Sequence, residues 1–354
     1  MKKVLSVLSV ATLSLSLVLA GCGSKPEAQP QGQAGQGGAT GGASGGAAPT
    51  VRIGMVTDVG GVNDNSFNQS AWEGLQKLQT EMNLPKENVN YLQSTSDADY
   101  VPNLTQFVKD KWDLTWGIGF LMGDHLKKVA DENKDAKLAI IDAEVDAPNV
   151  ESVLFKEQEG SFLAGVVAAK MTKTKKVGFV GGVEIPVIKR FELGFEAGVK
   201  AVDPSVEVFK VYTGAFDKPD AGKSTASSMY DQGADIIFHA SGQTGDGVFN
   251  EAKNRKAKGQ NVWVIGVDKD QSLTFGDDIT LTSMVKRVDE AVVRVSKDVI
   301  NGKFEGGKIV RLGLAEDGVG LASTSNKNVP EDVLKVVDEY KQKIIKGEIT
   351  VPEK

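Results

Sequence analysis

Three aspartates directly follow short apolar segments and are the first candidates for chemistry. Asp58 ends the run VRIGMVTD, Asp142 ends KLAIID and Asp268 ends VWVIGVD. If these runs are parallel strands, the carboxylates lie at the carboxyl edge of a sheet, where open α/β proteins bind ligands. Carboxylates there can accept hydrogen bonds from a ligand that is rich in donors. They indicate a binding site but specify no reaction.

Aromatic side chains occur near the ends of the same apolar segments. Phe67, Phe120 and Phe216 all lie in such positions. Phe216 stands between Gly214 and Asp217 in a loop that continues to a proline, which is a poor context for packing in a core. This loop context favours a binding role over core packing for Phe216.

Several segments imitate enzyme motifs but fail on spacing. Gly-Lys-Ser at 222–224 resembles the end of a P-loop, yet Asp217 occupies the place of a required glycine. The run GIGFLMG has Met122 where a dinucleotide fingerprint requires glycine. His125 and His239 lack zinc-binding spacing, and His239, inside DIIFHA, is interpreted as a hydrogen-bonded strand residue. We therefore expect no catalytic residue, no metal and no other cofactor.

The composition limits the broad class of protein. The 354 residues are 40% hydrophobic and 25% charged, which is typical of a globular chain of about two domains. The net charge of −6 provides no broad positive surface, so a nucleic-acid partner is not expected. One cysteine and two histidines exclude an intrachain disulfide and a Cys/His-rich zinc site. We expect a monomer.

The first 50 residues predict export and attachment to a membrane. Residues 1–21 have two lysines, an apolar stretch and a small-residue end, which is the pattern of a secretory signal. Leu-Ala-Gly then precedes Cys22, as in bacterial lipoproteins whose cysteine is lipidated after cleavage. Residues 22–50 are rich in Gly, Ala and Gln and predict a flexible tether. The protein is thus expected outside the cytoplasm, anchored through Cys22; a plain signal peptide would instead leave an exposed thiol.

Beyond residue 50, short apolar runs alternate with segments of helical periodicity, which predicts an α/β fold. The predicted strands are 51–57, 89–93, 114–119, 137–142, 152–155, 176–180, 206–212, 235–240, 262–268 and 279–285. The predicted helices are 71–82, 101–109, 124–132, 161–171, 189–202, 221–232, 247–258, 289–300 and 330–346. Strands that are apolar throughout are typical of parallel sheets covered on both faces. Ten strands predict two doubly wound lobes, with a break near 170–176 and a cleft between the two sets of strand ends.

Five segments share the residues and the order of a known family: 57–75 (TDVGGVNDNSFNQSAWEGL), 157–169 (EQEGSFLAGVVAA), 181–198 (GGVEIPVIKRFELGFEAG), 232–248 (QGADIIFHASGQTGDGV) and 264–271 (VIGVDKDQ). They resemble the basic membrane protein family, lipoprotein receptors of the purine nucleoside receptor A-like type. The resemblance implies a type I periplasmic binding protein fold with a three-stranded hinge. It also implies delivery of purine nucleosides to the membrane and ATPase subunits of an ABC importer. The first lobe is then expected to comprise 51–172 plus about 280–305, and the second 173–279 plus about 306–354.

The resemblance also implies particular site residues. In this family two aromatic rings, one from each lobe, enclose the purine, and polar groups contact the base edge and the ribose. The rings correspond to Phe67, in DNSFNQ, and Phe216, in YTGAF. The matching polar positions are Asp58, Asn68, Gly242, Asp268 and Lys286. A further ribose carboxylate is either Asp142 or Asp124, and the motifs do not decide between them.

Three alternatives to a nucleoside receptor are considered. The first is a binding protein for another small ligand, such as a sugar or a signalling furanose, because a fold does not specify its ligand. The second is a nucleoside hydrolase that uses aspartates and a metal. The third is a surface adhesin or sensor that takes no small molecule.

Overall fold

The computed structural model of the protein describes residues 50–354. The predicted signal peptide at 1–21, the predicted lipidation at Cys22 and tether residues up to 49 lie outside the described residues, and they stay predictions. Within the described part of the chain, no helix is both long and apolar enough to cross a membrane.

Twelve strands and ten α-helices build the described chain. The strands are β1 (Ile53–Val56), β2 (Val89–Leu92), β3 (Leu114–Ile118), β4 (Leu138–Ile141), β5 (Val150–Phe155), β6 (Lys176–Gly181), β7 (Glu207–Tyr212), β8 (Ile236–Ala240), β9 (Trp263–Asp268), β10 (Thr280–Lys286), β11 (Ile309–Leu312) and β12 (Val319–Leu321). The helices are α1 (Phe67–Glu81), α2 (Tyr100–Lys109), α3 (Gly123–Glu132), α4 (Glu157–Met171), α5 (Pro186–Val202), α6 (Pro219–Asp231), α7 (Thr244–Ala257), α8 (Ser272–Phe275), α9 (Val288–Ile300) and α10 (Glu331–Ile345).

The strands form two six-stranded sheets, which confirms the predicted α/β fold. The first sheet has the order β11-β5-β4-β3-β1-β2, and every neighbouring pair in it is parallel. The second has the order β12-β10-β9-β8-β6-β7, and β12 runs antiparallel to β10 at its edge. Each of the ten predicted strands is present, with its ends within two residues of the predicted bounds.

Helices cover both faces of each sheet, which explains why the strands read as continuous apolar runs. In the first sheet, one face packs against α1 and α9 and the other against α2 and α3. In the second sheet, α4, α5 and α10 pack on one face and α6 and α7 on the other. β3 and β4 are accordingly buried at every position.

The chain passes between the two sheets three times, and these crossings form the hinge. It leaves the first sheet between β5 and α4, returns between β10 and α9, and crosses again between β11 and β12. The Lys156 backbone N–H donates to the Leu312 carbonyl (2.9 Å), and the Arg287 N–H donates to the Gly318 carbonyl (2.9 Å). The three crossing segments therefore lie side by side, as the three-stranded hinge requires.

The predicted lobe boundaries were wrong at three places. The first crossing follows Phe155, so α4 belongs to the second lobe and the charged stretch 170–176 is a turn within that lobe. The strand 280–286 pairs with β9 in the second sheet, and only the helix after it, α9, returns to the first lobe. Conversely, 309–312 pairs with β5 in the first sheet.

The packing of α4 explains its place in the second lobe. Eleven of its first twelve residues, all except Glu159, are buried, so it has no polar face to present to solvent. Glycines let it approach α5 closely, because a Cβ at Gly198 would lie 2.0 Å from the Phe162 carbonyl oxygen and one at Gly165 would lie 2.2 Å from that of Phe195. A helix buried in this way must lie between other elements and cannot serve as an outer cover.

Two strands of the structure were not predicted from the sequence. β11 (IVRL) is partly exposed and carries an arginine, and β12 (VGL) has three residues. Both lie at sheet edges, where one neighbour is missing and the apolar signal is weak. Their pairing depends on where the hinge places them.

Candidate ligand-binding site

A cleft of about 610 Å³ lies between the two lobes, at the carboxyl ends of their strands. The lining residues come from both sheets and their helices: Asp58, Gly60, Asp64, Phe67, Asn68, Gly119, Phe120, Leu121, Asp142, Ile185, Val187, Ile188, Phe191, Phe216, Ala240, Ser241, Gly242, Val267, Asp268 and Lys286.

Each lobe contributes a half-buried phenylalanine to the cleft. Phe67 is the first residue of α1, and Phe216 lies in the loop between β7 and α6. The Phe216 ring lies close against Gly182, where a Cβ would come within 2.4 Å of the ring. Gly242, with φ +55°, passes beside the same residue. The two glycines thus let the ring lie against the backbone while it remains accessible from the cleft.

Asp58 and Asn68 form a polar pair on the first-lobe side. The Asn68 side-chain amide donates to Asp58 Oδ1 (2.7 Å) and to Asp64 Oδ2 (2.9 Å), while its oxygen accepts from the Asp58 N–H (3.2 Å). Asp64 also accepts backbone N–H groups at the start of α1, including that of Ser66 (2.9 Å). Burial raises the pKa of Asp58 to about 6, against the opposing hydrogen bond from Asn68. Asp58 is therefore held by a fixed donor and changes its charge near neutral pH.

Lys286 joins the two lobes at the base of the cleft. Its Nζ lies 2.6 Å from Asp142 Oδ2, at the end of β4, and 2.9 Å from Glu157 Oε1, at the start of α4. Arg190 Nε on α5 donates to the other Glu157 oxygen at 2.6 Å. Burial disfavours the ammonium, but Asp142 and Glu157 hold the pKa of Lys286 above the ordinary lysine value. Asp142 Oδ1 accepts no hydrogen bond from the described residues and is available as an acceptor.

Asp268 forms a direct contact between the lobes. The Ser66 hydroxyl of the first lobe donates to Asp268 Oδ2, and the Asn65 amide donates to Asp246 Oδ2 on α7 (3.0 Å). Burial raises the pKa of Asp268 to about 7, while Lys286 opposes the shift. These contacts bring the lobes together over the cleft.

Asp142 and Asp268 share an uncommon backbone geometry at equivalent places. Their φ angles are +72° and +64°, in the left-handed region, directly after β4 and at the end of β9. Aspartate tolerates this region better than most residues do. The turn ends each strand abruptly and leaves both carboxylates in the cleft lining.

Eight of the nine predicted ligand-binding residues are brought together in this cleft. They are Asp58, Phe67, Asn68, Asp142, Phe216, Gly242, Asp268 and Lys286. Asp124 is not among them, because it lies in the first turn of α3 with its side chain exposed to solvent. Asp142 is therefore the carboxylate that the fold places in the cleft.

Sequence reasoning missed the residues that position Lys286. Glu157 and Arg190 both lie in segments that were compared with the family, but they are 33 residues apart and no local pattern pairs them. Phe191 and Ile188 also face the cleft from α5, where helical periodicity indicates only core packing. Within residues 50–354, no group of three or more His, Cys, Asp or Glu side chains is arranged to hold a metal ion.

Two α/β lobes, three crossing segments and a cleft between the strand ends define a two-lobed ligand-binding protein of the type I periplasmic class. A family profile described as "ABC transporter substrate-binding protein PnrA-like" matches residues 51–354, so the chain belongs to this family. The protein is accordingly an extracytoplasmic, membrane-associated substrate-binding protein of an ABC transporter and not an enzyme, which excludes the hydrolase alternative.

Relatives and solved structures agree with this assignment. The chain is 46% identical over 368 residues to a Listeria innocua protein named CD4+ T-cell-stimulating antigen, with 100% of both chains covered. It is 39% identical to the ABC transporter nucleoside-binding protein BmpA of Lactococcus lactis, covering 100% of this chain and 99% of that one. A solute-binding protein of an ABC transporter system from Aeropyrum pernix K1 superposes with a TM-score of 0.76 at 33% identity, covering 86% of this chain and 94% of that chain.

Proposed function

We propose that this protein is a lipid-anchored receptor that binds purine nucleosides in the interlobe cleft and delivers them to an ABC importer. One observation carries the proposal: Phe67 and Phe216, from opposite lobes, line one cleft together with Asp58, Asp142 and Asp268. The name of the Lactococcus lactis relative, a nucleoside-binding protein, supports the same ligand class.

The two phenylalanines suit the flat base. Both rings are half-buried and both border the space between the lobes. A base that stacks on an aromatic ring gains about 1–3 kcal/mol per ring. A purine held between rings from different lobes would also link the lobes.

The charges of the cleft suit a neutral ligand with several donors. Asp58, Asp142 and Asp268 can accept hydrogen bonds from hydroxyl or N–H groups. Lys286 is the only cation among the described lining residues, and Asp142 and Glu157 already neutralise it. A phosphate would therefore meet more negative than positive charge, which favours nucleosides over nucleotides.

Half of the proposed site lies on each lobe, and this arrangement couples binding to shape. A ligand that contacts both lobes stabilises the closed arrangement relative to an open one, and the three crossing segments absorb the motion. The importer would then recognise the closed receptor. Lipid on Cys22 and a tether of about 28 residues would hold the folded part on the order of 30 Å from the membrane.

Calorimetry on the purified protein tests the ligand class. Guanosine, inosine and adenosine should bind with a free energy on the order of −8 to −10 kcal/mol, whereas guanosine monophosphate, cytidine, ribose and galactose should bind much more weakly. Phe67→Ala and Phe216→Ala should each weaken guanosine binding by roughly 5- to 150-fold, the equivalent of one stacking contact.

Two phenylalanines outside the cleft provide matched controls. Phe304, in the first lobe, and Phe209, in the second, are also partly buried but do not line the cleft. Their alanine variants should bind guanosine as the unmodified protein does. Tight binding of a sugar, or guanosine binding that survives both cleft substitutions, would overturn the proposal.

A further inference from the structure

His239 lies fully buried in β8, directly behind the cleft. Its Nδ1 is 3.3 Å from Ser241 Oγ, and its Nε2 is 2.8 Å from Gln271 Oε1. Ser241 lines the cleft, whereas Gln271 precedes α8 and reaches toward the first lobe. The imidazole thus stands between a residue that faces the ligand space and a residue at the lobe interface.

The orientation of the Gln271 amide is determined by its other contacts. Its oxygen accepts from the Val267 N–H (2.9 Å), and its nitrogen donates to the carbonyl of Asn65 in the first lobe (3.0 Å). A flipped amide would place N–H against N–H at Val267 and oxygen against oxygen at Asn65. Oε1 is therefore the atom that faces His239.

The tautomer of His239 follows from this orientation. An amide oxygen can only accept, so Nε2 must carry the hydrogen and Nδ1 of the neutral ring must be an acceptor. The Ser241 hydroxyl then donates its hydrogen to Nδ1. Having donated its hydrogen, Ser241 Oγ can only accept any further hydrogen bond, and Ser241 lines the cleft. Burial lowers the pKa of His239 to about 4, which keeps the ring neutral at ordinary pH.

The ring has little freedom to adopt another arrangement. A Cβ at Gly245 would lie 2.0 Å from His239 Cε1, so the first turn of α7 packs directly on the imidazole. The Phe249 ring contacts it edge-on, with 5.6 Å between ring centroids. The Asn65 side of the interface is held in turn by the hydrogen bond from Asn65 to Asp246.

We propose that His239 is a positioning residue that couples the ligand cleft to the contact between the lobes. Its Nε2–H is a second donor to Gln271 Oε1 and adds to the stability of the orientation that donates to Asn65. Its Nδ1 accepts the Ser241 hydrogen, so that Ser241 can only accept a hydrogen bond from the ligand. The ligand must then present a hydroxyl or N–H donor at Ser241. This assignment to a ligand rests on the proposed function, whereas the tautomer does not depend on it.

Nitrogen NMR tests the tautomer directly. The chain contains only two histidines, so ¹⁵N-histidine labelling of the detergent-solubilised full-length protein gives two ring systems, and a His125→Phe variant assigns them. Without ligand at pH 7, His239 should show a protonated, pyrrole-type Nε2 and an unprotonated, pyridine-type Nδ1. A proton on Nδ1 would overturn the proposal.

Binding measurements test the coupling. Ser241→Ala and Gln271→Met should each weaken guanosine binding by between about twofold and tenfold, the range for one hydrogen bond. Ser241→Thr should retain affinity because it retains the hydroxyl. His239→Phe should weaken binding about as much as the Ser241→Ala/Gln271→Met double variant does, and adding it to that double variant should weaken binding little further. His125→Phe should bind normally.

The two proposals fail in different ways. If the unmodified protein binds no nucleoside, the proposed function is wrong, and the NMR result still decides the tautomer. If it binds guanosine but His239→Phe, Ser241→Ala and Gln271→Met all bind it equally well, the coupling is wrong while the proposed function stands. If His239→Phe does not fold, the tautomer from NMR and the guanosine affinities of Ser241→Ala and Gln271→Met still test the proposal.

Discussion

Lys286 and Asp142 form a buried ion pair of 2.6 Å that links the last residue of β10, in the second sheet, to the residue after β4, in the first. The two residues are 144 positions apart and are almost completely buried. Glu157, at the first hinge crossing, holds the same ammonium from the other side. The pair therefore lies where the hinge meets the cleft, and its charges must remain balanced.

Removing the cation should destabilise the protein strongly. Lys286→Met leaves two buried carboxylates, Asp142 and Glu157, without their shared partner, and we expect a loss of about 3–5 kcal/mol. Urea unfolding without ligand measures the loss. Lys77→Met provides the control, because the Lys77–Glu290 pair is about half exposed and should contribute less than about 1 kcal/mol. Equal effects of the two substitutions would contradict the importance of the buried pair.

The stability of the protein should depend on pH through Glu157. Although burial opposes its charge, Lys286 and Arg190 hold the pKa of Glu157 below the ordinary glutamate value. The stabilisation that Glu157 provides is therefore fully present above the ordinary glutamate pKa. It is lost as the pH falls through the lower pKa that Glu157 has in the folded protein. Glu157→Gln should reduce the acid-dependent part of the unfolding free energy, measured by urea titrations from pH 6 to pH 3.

Glu331 provides the matched control for this measurement. It lies at the exposed start of α10, in a surface pair with Lys335. Glu331→Gln should leave the acid-dependent slope nearly unchanged. A slope that is the same in all three proteins would show that Glu157 is not paired as the structure shows.

Asp268 should affect stability in the opposite direction. Its folded-state pKa of about 7 is raised above the value of about 4 expected in the unfolded chain. The folded state therefore binds a proton that the unfolded state has lost, and stability falls as the pH rises from about 4 to 7. Asp268→Asn should flatten this part of the profile, incompletely because Asp58 titrates near 6. Asp203→Asn should not, since the pKa of Asp203 is lowered to about 2.

The packing of the Phe216 ring against Gly182 can be tested by substituting the glycine. A Cβ at this position would lie 2.4 Å from the ring, so Gly182→Ala should displace Phe216 and weaken guanosine binding about fivefold or more. Stability should change little, because the ring can shift into the cleft. Gly320→Ala is the control, since nothing lies within 4 Å of its added methyl group. Undiminished binding by Gly182→Ala would show that the ring position does not matter for the ligand.

Local sequence signals were sufficient to predict most of the strands and helices and most of the proposed cleft residues. Strands such as β3 and β4 are recognisable because helices cover both faces, so every position is buried and nearly all are apolar. The rule that ligands lie at the carboxyl ends of parallel strands pointed to Asp58, Asp142 and Asp268 without any knowledge of tertiary contacts. The family motifs added Phe67 and Phe216, and all five residues line the cleft.

Tertiary structure alone decided which lobe each segment joins and which side chains meet. The same periodicity describes α4 whether it covers the first sheet or the second, and its contacts with α5, β10 and β12 place it in the second lobe. Asp124 and Asp142 both follow strands, yet a helical turn exposes the former and a left-handed turn places the latter in the cleft. The partners of Lys286 and Gln271 are 144 and 206 residues away. Local patterns report burial and periodicity, but they contain no information about a partner that only the folding of the whole chain brings near.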